Sequence, residues 1–221
     1  MDDKTDFNTL LLKNIERISA VAGEDNNLKA ELCMHYAVLK IKLFQRWGRT
    51  EDLEEAIEKG KRAVAETQEE YEAFTGRLNN LGVMLERRYE RTGKMEDLEE
   101  AIRVARQAVD VTPEDHPDLA AMLNNLGNKL ESRYERMGKM EDLEEALQVA
   151  RQAVDVTPED HPDLAAWLKN LGKKLSHRYE RTGKMEDLKE AIQVVRQAVD
   201  VTPKDHPDLA AMLNNLGNKL G

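Results

Sequence analysis

Apolar and polar positions alternate along this chain with a helical period, in two recurring runs. In the first run Leu119, Met122, Leu123, Leu126 and Leu130 recur at spacings of three and four, which lines up one apolar stripe on an α-helix. Asp115 stands where it can cap the start, Pro117 suits a first turn that needs no donor, and Asp118 favours the positive end of the helix dipole. The spacing predicts a helix from this Asp-His-Pro-Asp segment to about Arg136, closed by Gly138 in a left-handed C-terminal position. The second run, Leu143, Ala146, Leu147, Ala150, Ala153 and Val154, predicts a helix from about Glu141. Glu141, Asp142, Glu144 and Glu145 crowd its first turns, as the dipole prefers, and Thr157-Pro158 ends it.

This two-helix pattern is copied along the chain. Asn-Leu-Gly recurs at Asn80, Asn125, Asn170 and Asn215, each step being 45 residues. A fixed period of this size predicts a solenoid, in which each unit buries its apolar face against the next. The frame gives an N-terminal capping helix in 1–26, a degenerate first repeat in 27–68, further repeats in 69–113, 114–158 and 159–203, and a truncated fifth repeat in 204–221 serving as C-terminal cap. All belong to one array of about ten helices. Leu220-Gly221 stands where the third unit continues Leu130-Glu131-Ser132-Arg133-Tyr134, and reads as an engineered or short natural end.

The third unit reads Leu123, Leu126-Gly127, Leu130, Ala146, Ala150, Ala153, Pro158; the fourth reads Leu168, Leu171-Gly172, Leu175, Ala191, Val195, Ala198, Pro203. The second gives Leu78, Leu81-Gly82, Leu85, Ala101, Ala105, Ala108, Pro113. This pattern resembles the tetratricopeptide repeat (TPR). Small residues at Gly127 and Ala146 let two helix backbones approach closely. The unit is longer than the usual TPR, and the excess reads as a lengthened first helix. DHPDLAAMLNNLG and GKMEDLEEA are similar to the long TPRs of kinesin light chains and to TPR arrays of fungal and bacterial signalling proteins. The resemblance implies an all-α, right-handed α–α superhelix whose inner wall is lined by the first helices.

Composition narrows the function classes. The formal charge is −10, which on average repels nucleic acid. No stretch approaches the roughly 20 apolar residues that span a bilayer, and the acidic start lacks the basic and apolar runs of a signal peptide. With one cysteine, Cys33, no internal disulfide can form. A soluble, cytoplasmic protein is expected.

No catalytic constellation, cofactor motif or metal-ligand spacing is present: there is no GxxxxGK[ST], HExxH, paired cysteine or GxSxG. His116, His161 and His206 recur beside proline in the linker turn, where a turn or capping role is expected. Cys33 and His35 are expected to pack in the interior. The column Phe44, Tyr89, Tyr134, Tyr179 is expected to pack between repeats.

By the TPR resemblance, inward positions are Asn124, Asn125, Asn128, Glu131 and Ser132 in the third unit, and Asn79, Asn80, Val83, Glu86 and Arg87 in the second. Asn80, Asn125, Asn170 and Asn215 match the asparagine that bonds an extended peptide's backbone in kinesin-light-chain-like repeats. An amide has donors and an acceptor and can pair with a strand whatever its side chains. The alternative is that each Asn bonds a neighbouring helix or loop. The candidate peptide-binding residues are therefore Asn79, Asn80, Asn124, Asn125, Asn128, Lys169, Asn170, Lys173, Asn214 and Asn215.

Residues 109–153 and 154–198 differ at nine of 45 positions, and four of these are the inward pairs Asn124/Lys169, Asn128/Lys173, Glu131/Ser176 and Ser132/His177. The change raises local charge and suggests a basic step receiving an acidic peptide, against drift on a solvated face. Two functions compete: a non-enzymatic scaffold binding peptide segments, and an array stacking head to tail on itself through its terminal helices.

Overall fold

In the computed structural model the described residues are 10–15, 17–18, 25–68, 73–203 and 209. Every regular element among them is helical. Residues 10–15 and 17–18 are helical (α1). There follow α2 (Asn26–Trp47), α3 (Thr50–Ala65), α4 (Ala73–Thr92), α5 (Met95–Val111), α6 (Leu119–Met137), α7 (Met140–Asp155), α8 (Leu164–Thr182) and α9 (Met185–Val201). The tenth expected helix, in residues 204–221, lies outside the described residues, as do Asn214 and Asn215.

The chain divides into two compact units, Met1–Thr112 and Pro113–Gly221. In the first, α2 pairs with α3 and α4 with α5, while α3 packs on α4 and α2 touches α4. Leu12 and Ile15 of α1 are buried with Tyr36 and Leu43 of α2, so α1 covers the apolar side of the first pair. In the second, α6 pairs with α7 and α8 with α9, while α7 packs on α8 and α6 touches α8.

The apolar stripes make the core. Leu123, Leu126, Leu130, Leu143, Leu147, Leu168, Leu171 and Leu175 are each at most 3% exposed. Burying one such side chain contributes about 1.5–3 kcal/mol. Leu143, Leu147 and Ala150 of α7 join Leu171 and Leu175 of α8 and Ala191 of α9 in one cluster, with Tyr134 packed against it. That is the packing role expected of the aromatic column. Gly127 and Gly172 allow the close helix approach: a Cβ at Gly172 would stand 2.7 Å from Val195 Cγ2.

The turn chemistry also repeats. Gly48, Gly93, Gly138 and Gly183 adopt φ of 68–70°, the left-handed conformation expected at Gly138. The Gly138 N–H donates to Tyr134 O at 2.7 Å, closing the first helix. At the end of each second helix a buried threonine, Thr67, Thr112, Thr157 or Thr202, donates its hydroxyl to an alanine carbonyl four residues back.

The start of the first helix differs from expectation. Asp118, not Asp115, stands at the N-cap of α6, with helical dihedrals and no side-chain capping bond. The linker supplies the caps instead: His116 Nδ1 accepts from the Asp118 N–H at 3.1 Å, and His116 O accepts from the Leu119 N–H at 3.0 Å. His161 repeats the arrangement with Asp163 and Leu164. At these two positions the histidine is therefore a turn element, and it displaces the aspartate from capping, while His206 lies outside the described residues.

Candidate functional site: the polar seam of the first helices

Each first helix has an apolar stripe turned into its pair and a polar stripe beside it. In the second unit, α6 and α8 lie close enough for their polar stripes to meet. The residues on this seam are those that the sequence singles out as inward, so most of their placement can be followed directly.

Asn124 is only 6% exposed, and its Oδ1 accepts from Asn170 Nδ2 at 2.8 Å. Asn170 thus bonds a neighbouring helix, one of the two roles open to it from sequence. One turn on, Asn128 Oδ1 accepts from Lys174 Nζ at 2.9 Å. Lys174 is 0% exposed, and its ammonium also reaches Glu131 Oε2 at 3.2 Å. Burial pushes the lysine's pKa down, against the pull of Glu131.

Lys173 points outward but is not a bare cation. Its ammonium lies 3.1 Å from Glu135 Oε1 and 3.5 Å from Glu131 Oε2. Partial burial works against its charge, yet the two glutamates outweigh burial and raise its pKa. The expected basic step is therefore half neutralised by residues of α6. Lys169 is exposed and has no ion-pair partner among the described residues. Asn125 is half-buried on α6, and Lys129 Nζ stands 3.5 Å from its carbonyl. Asn79 and Asn80 are half-buried on α4 of the first unit.

At the outer end of the seam His177 of α8 faces the two glutamates of α6. Its Nδ1 is 3.1 Å from Glu131 Oε1 and 4.0 Å from Glu135 Oε1. Its ring lies 6.3 Å from that of Tyr134, centroid to centroid.

Three of the four described helix pairs, all but α2–α3, are tied by an arginine–aspartate clamp that sequence reasoning missed. Arg133 grips Asp142 with Nε–Oδ2 at 3.0 Å and Nη2–Oδ1 at 2.5 Å, and Arg178 grips Asp187 in the same way at 3.0 and 2.6 Å. Arg88 and Asp97 form the counterpart in the first unit. The hydrogen bonds to Asp187 raise the Arg178 pKa. The aspartates read from sequence as dipole partners only; the repeated nine-residue offset from arginine to aspartate is the available clue. The fully buried Lys129 and Lys174 also escape, because a lysine in an otherwise polar stripe reads as solvated.

Elsewhere the expected chemistry is quiet. Cys33 is buried, and burial pushes its thiol pKa up, away from nucleophilic use. His35 is exposed rather than packed inside; its Nδ1 lies 3.0 Å from Glu31 O on its own helix. No helix among the described residues is long and apolar enough to cross a membrane.

The tetratricopeptide repeat profile matches residues 75–118, 119–163 and 164–208, more than half of the chain. The chain belongs to the tetratricopeptide repeat family. The second and third matches open where α6 and α8 begin, so each of these copies starts with a first helix. Among solved structures, BtubC (BKLC) from P. vanneervenii superposes with a TM-score of 0.68 at 18% identity, over 96% of this chain and 80% of that one. The Podosopora anserina protein described as a putative kinesin light chain with nearly identical TPR-like repeats gives 0.59 at 19% identity, over 81% and 83%. A thermophilic TPR protein of Thermus thermophilus gives 0.57 at 22% identity, over 95% and 88%. These likenesses speak to the fold: an all-α TPR-type array of packed helix pairs. No curated protein matches the chain in sequence. TPR units serve generally as protein–protein interaction scaffolds and are typically non-catalytic.

Proposed function

We propose that this TPR chain is a non-enzymatic scaffold that binds an extended segment of another protein along the polar stripes of its first helices. The observation that carries this reading is the α6–α8 seam. Its leucines are spent on the core, while Lys169, Asn125, Asn128 and Asn170 stand half-buried or exposed beside it. A row of amides can pair with peptide backbone, and lysines can add charge-assisted bonds to carboxylates.

The seam also sharpens the expected partner. Lys173 is already shared between Glu131 and Glu135, so an incoming carboxylate has to displace one of them. Lys169 has no such competitor among the described residues and is the stronger anchor. An acidic peptide segment is the favoured ligand, with Asn79 and Asn80 of α4 extending the same role in the first unit.

Panning a peptide library against the whole chain tests the proposal. Asn125→Ala should weaken the selected peptides. Lys169→Glu should weaken acidic ones by tenfold or more and flatten their salt dependence. Asn170→Ala is the less clean probe, because it strips Asn124 of its partner. Unchanged affinities in both Asn125→Ala and Lys169→Glu would remove the groove from the account. Assemblies that grow with concentration in sedimentation would favour head-to-tail stacking instead.

A further inference from the structure

The outer end of the seam supports an activity separate from peptide capture. Glu131 is 5% exposed. Its Oε1 and His177 Nδ1 are both shielded from water and 3.1 Å apart, yet neither makes a hydrogen bond. Two ligand-type atoms therefore converge without a hydrogen bond between them, and an imidazole that keeps its proton on Nε2 leaves the Nδ1 lone pair open to a cation beside Glu131 Oε1.

The spacing fits a cation of a particular class. Zinc binds imidazole nitrogen at about 2.0–2.1 Å and carboxylate oxygen at about 2.0–2.2 Å, in near-tetrahedral geometry. Two such ligands on one ion stand roughly 3.3–3.5 Å apart, by the same bond lengths. The observed 3.1 Å is already close to that bite. Glu135 Oε1 lies 4.0 Å from the same nitrogen and sits on an exposed side chain, so a small rotation completes a third ligand. All three donor atoms fall within 4.8 Å of one another. Tyr134 packs near the imidazole and limits its swing.

We propose that Glu131 and Glu135 of α6 and His177 of α8 form a site for a divalent transition ion of the zinc class, with water completing the shell. One imidazole and two carboxylates favour such an ion over calcium or magnesium, which prefer all-oxygen cages. The two oxygens of Glu131 divide the work: Oε2 keeps Lys174, and Oε1 takes the ion. Lys173 is the competitor, since its ammonium occupies the carboxylates from the solvent side. Its long exposed stem lets it swing into water when the ion arrives. The site belongs to one junction only. The position of His177 is Ser132 in the third unit and Arg87 in the second, and the position of Glu131 is Ser176 in the fourth. A search within single units finds no ligand spacing because the site is divided between two.

Titration of the full-length chain with zinc chloride, under reducing conditions and followed by calorimetry, tests this. One equivalent should bind. Glu135→Gln and His177→Ala should each weaken binding at least tenfold, while Lys173→Met should tighten it severalfold. Cobalt should give visible absorption bands in the wild type that Glu135→Gln loses. Glu135 is exposed, so its variant remains folded and informative even if His177→Ala does not. Absence of binding, retention of wild-type affinity in Glu135→Gln, or no tightening in Lys173→Met would each overturn the site. None of these readings needs a peptide, so they stand or fall apart from the scaffold function.

Discussion

Gly127 and Gly172 occupy the same place in successive repeats but face different neighbours, and this sets up an internal experiment. A Cβ at Gly172 would meet Val195 Cγ2 at 2.7 Å, a distance real Cβ atoms essentially never show, and Val194 Cγ2 at 3.3 Å. A Cβ at Gly127 would meet Val149 Cγ2 at 3.2 Å, with Ala146 O and Lys174 Cε at 3.4 Å. Val149 and Val194 are equivalent positions, so the difference comes from residue 195, a valine where the third unit has Ala150. Alanine in a helix interior gains about 1 kcal/mol over glycine. Overpacking a tight site costs about 1–3 kcal/mol. Gly172→Ala should therefore lose up to about 2 kcal/mol net, and Gly127→Ala should be neutral or slightly stabilising, on the same two principles. In a Val195→Ala background, which restores the third unit's neighbour, the Gly172→Ala penalty should vanish. The double-mutant cycle should then show coupling of about 1 kcal/mol or more. Urea unfolding followed by the fluorescence of Trp167, which lies in α8, reads the affected unit; far-UV circular dichroism reads the whole chain. Equal effects of the two glycine substitutions, or coupling below about 0.5 kcal/mol, would refute the close-packing argument.

The buried ion pair makes an asymmetric prediction. Glu131→Ala strands Lys174 in the interior with only Asn128 and should cost about 3 kcal/mol or more. Lys174→Met leaves Glu131 with Lys173 nearby and should cost less than about 2 kcal/mol, both measured by chemical denaturation. Because burial lowers the Lys174 pKa, the unfolded chain holds that proton more tightly. Wild-type stability relative to Lys174→Met should thus rise as pH climbs through the lowered folded value towards the ordinary lysine value of about 10.4, and a flat difference would contradict the assignment. In the first unit, the hydrogen bond from Lys40, opposed by burial and helped by Tyr36, lowers the Glu55 pKa. That stability is complete above the unfolded value of about 4.3 and is lost as pH falls through the lower folded value. The melting-temperature gap between wild type and Glu55→Gln, small because the carboxylate is half exposed, should close as pH falls below the ordinary glutamate value of about 4.3 and through the lowered folded one.

Much of the fold can be read from the sequence because it rests on periodic burial. The leucine stripe, Gly138 as a left-handed stop and the close approach at Gly127 all follow from residue type and spacing within one unit, and all are present. The helix start escapes such reading because Asp115, a good cap by residue type, competes with a His116 side chain whose capping bond depends on loop geometry. The site is legible by position but not by partner. Asn124, Asn128, Asn170 and Lys173 stand out in the sequence as polar-stripe residues, yet their bonds link residues 38 to 46 apart. A pattern read within one unit cannot show which groups on the next will neutralise it. His177 illustrates the point: alone it is one substitution among several, and only beside Glu131 and Glu135 does it acquire a chemistry.

The arginine–aspartate clamps have a consequence for how such a gene can change. Each clamp closes inside one helix pair, so a whole copy can be duplicated or deleted by recombination without orphaning a charge of its clamp. The Lys174–Glu131 and His177–Glu131 contacts join two copies and hold only in their present order. Shuffling copies would keep each clamp intact while erasing the single junction whose chemistry is unlike the others.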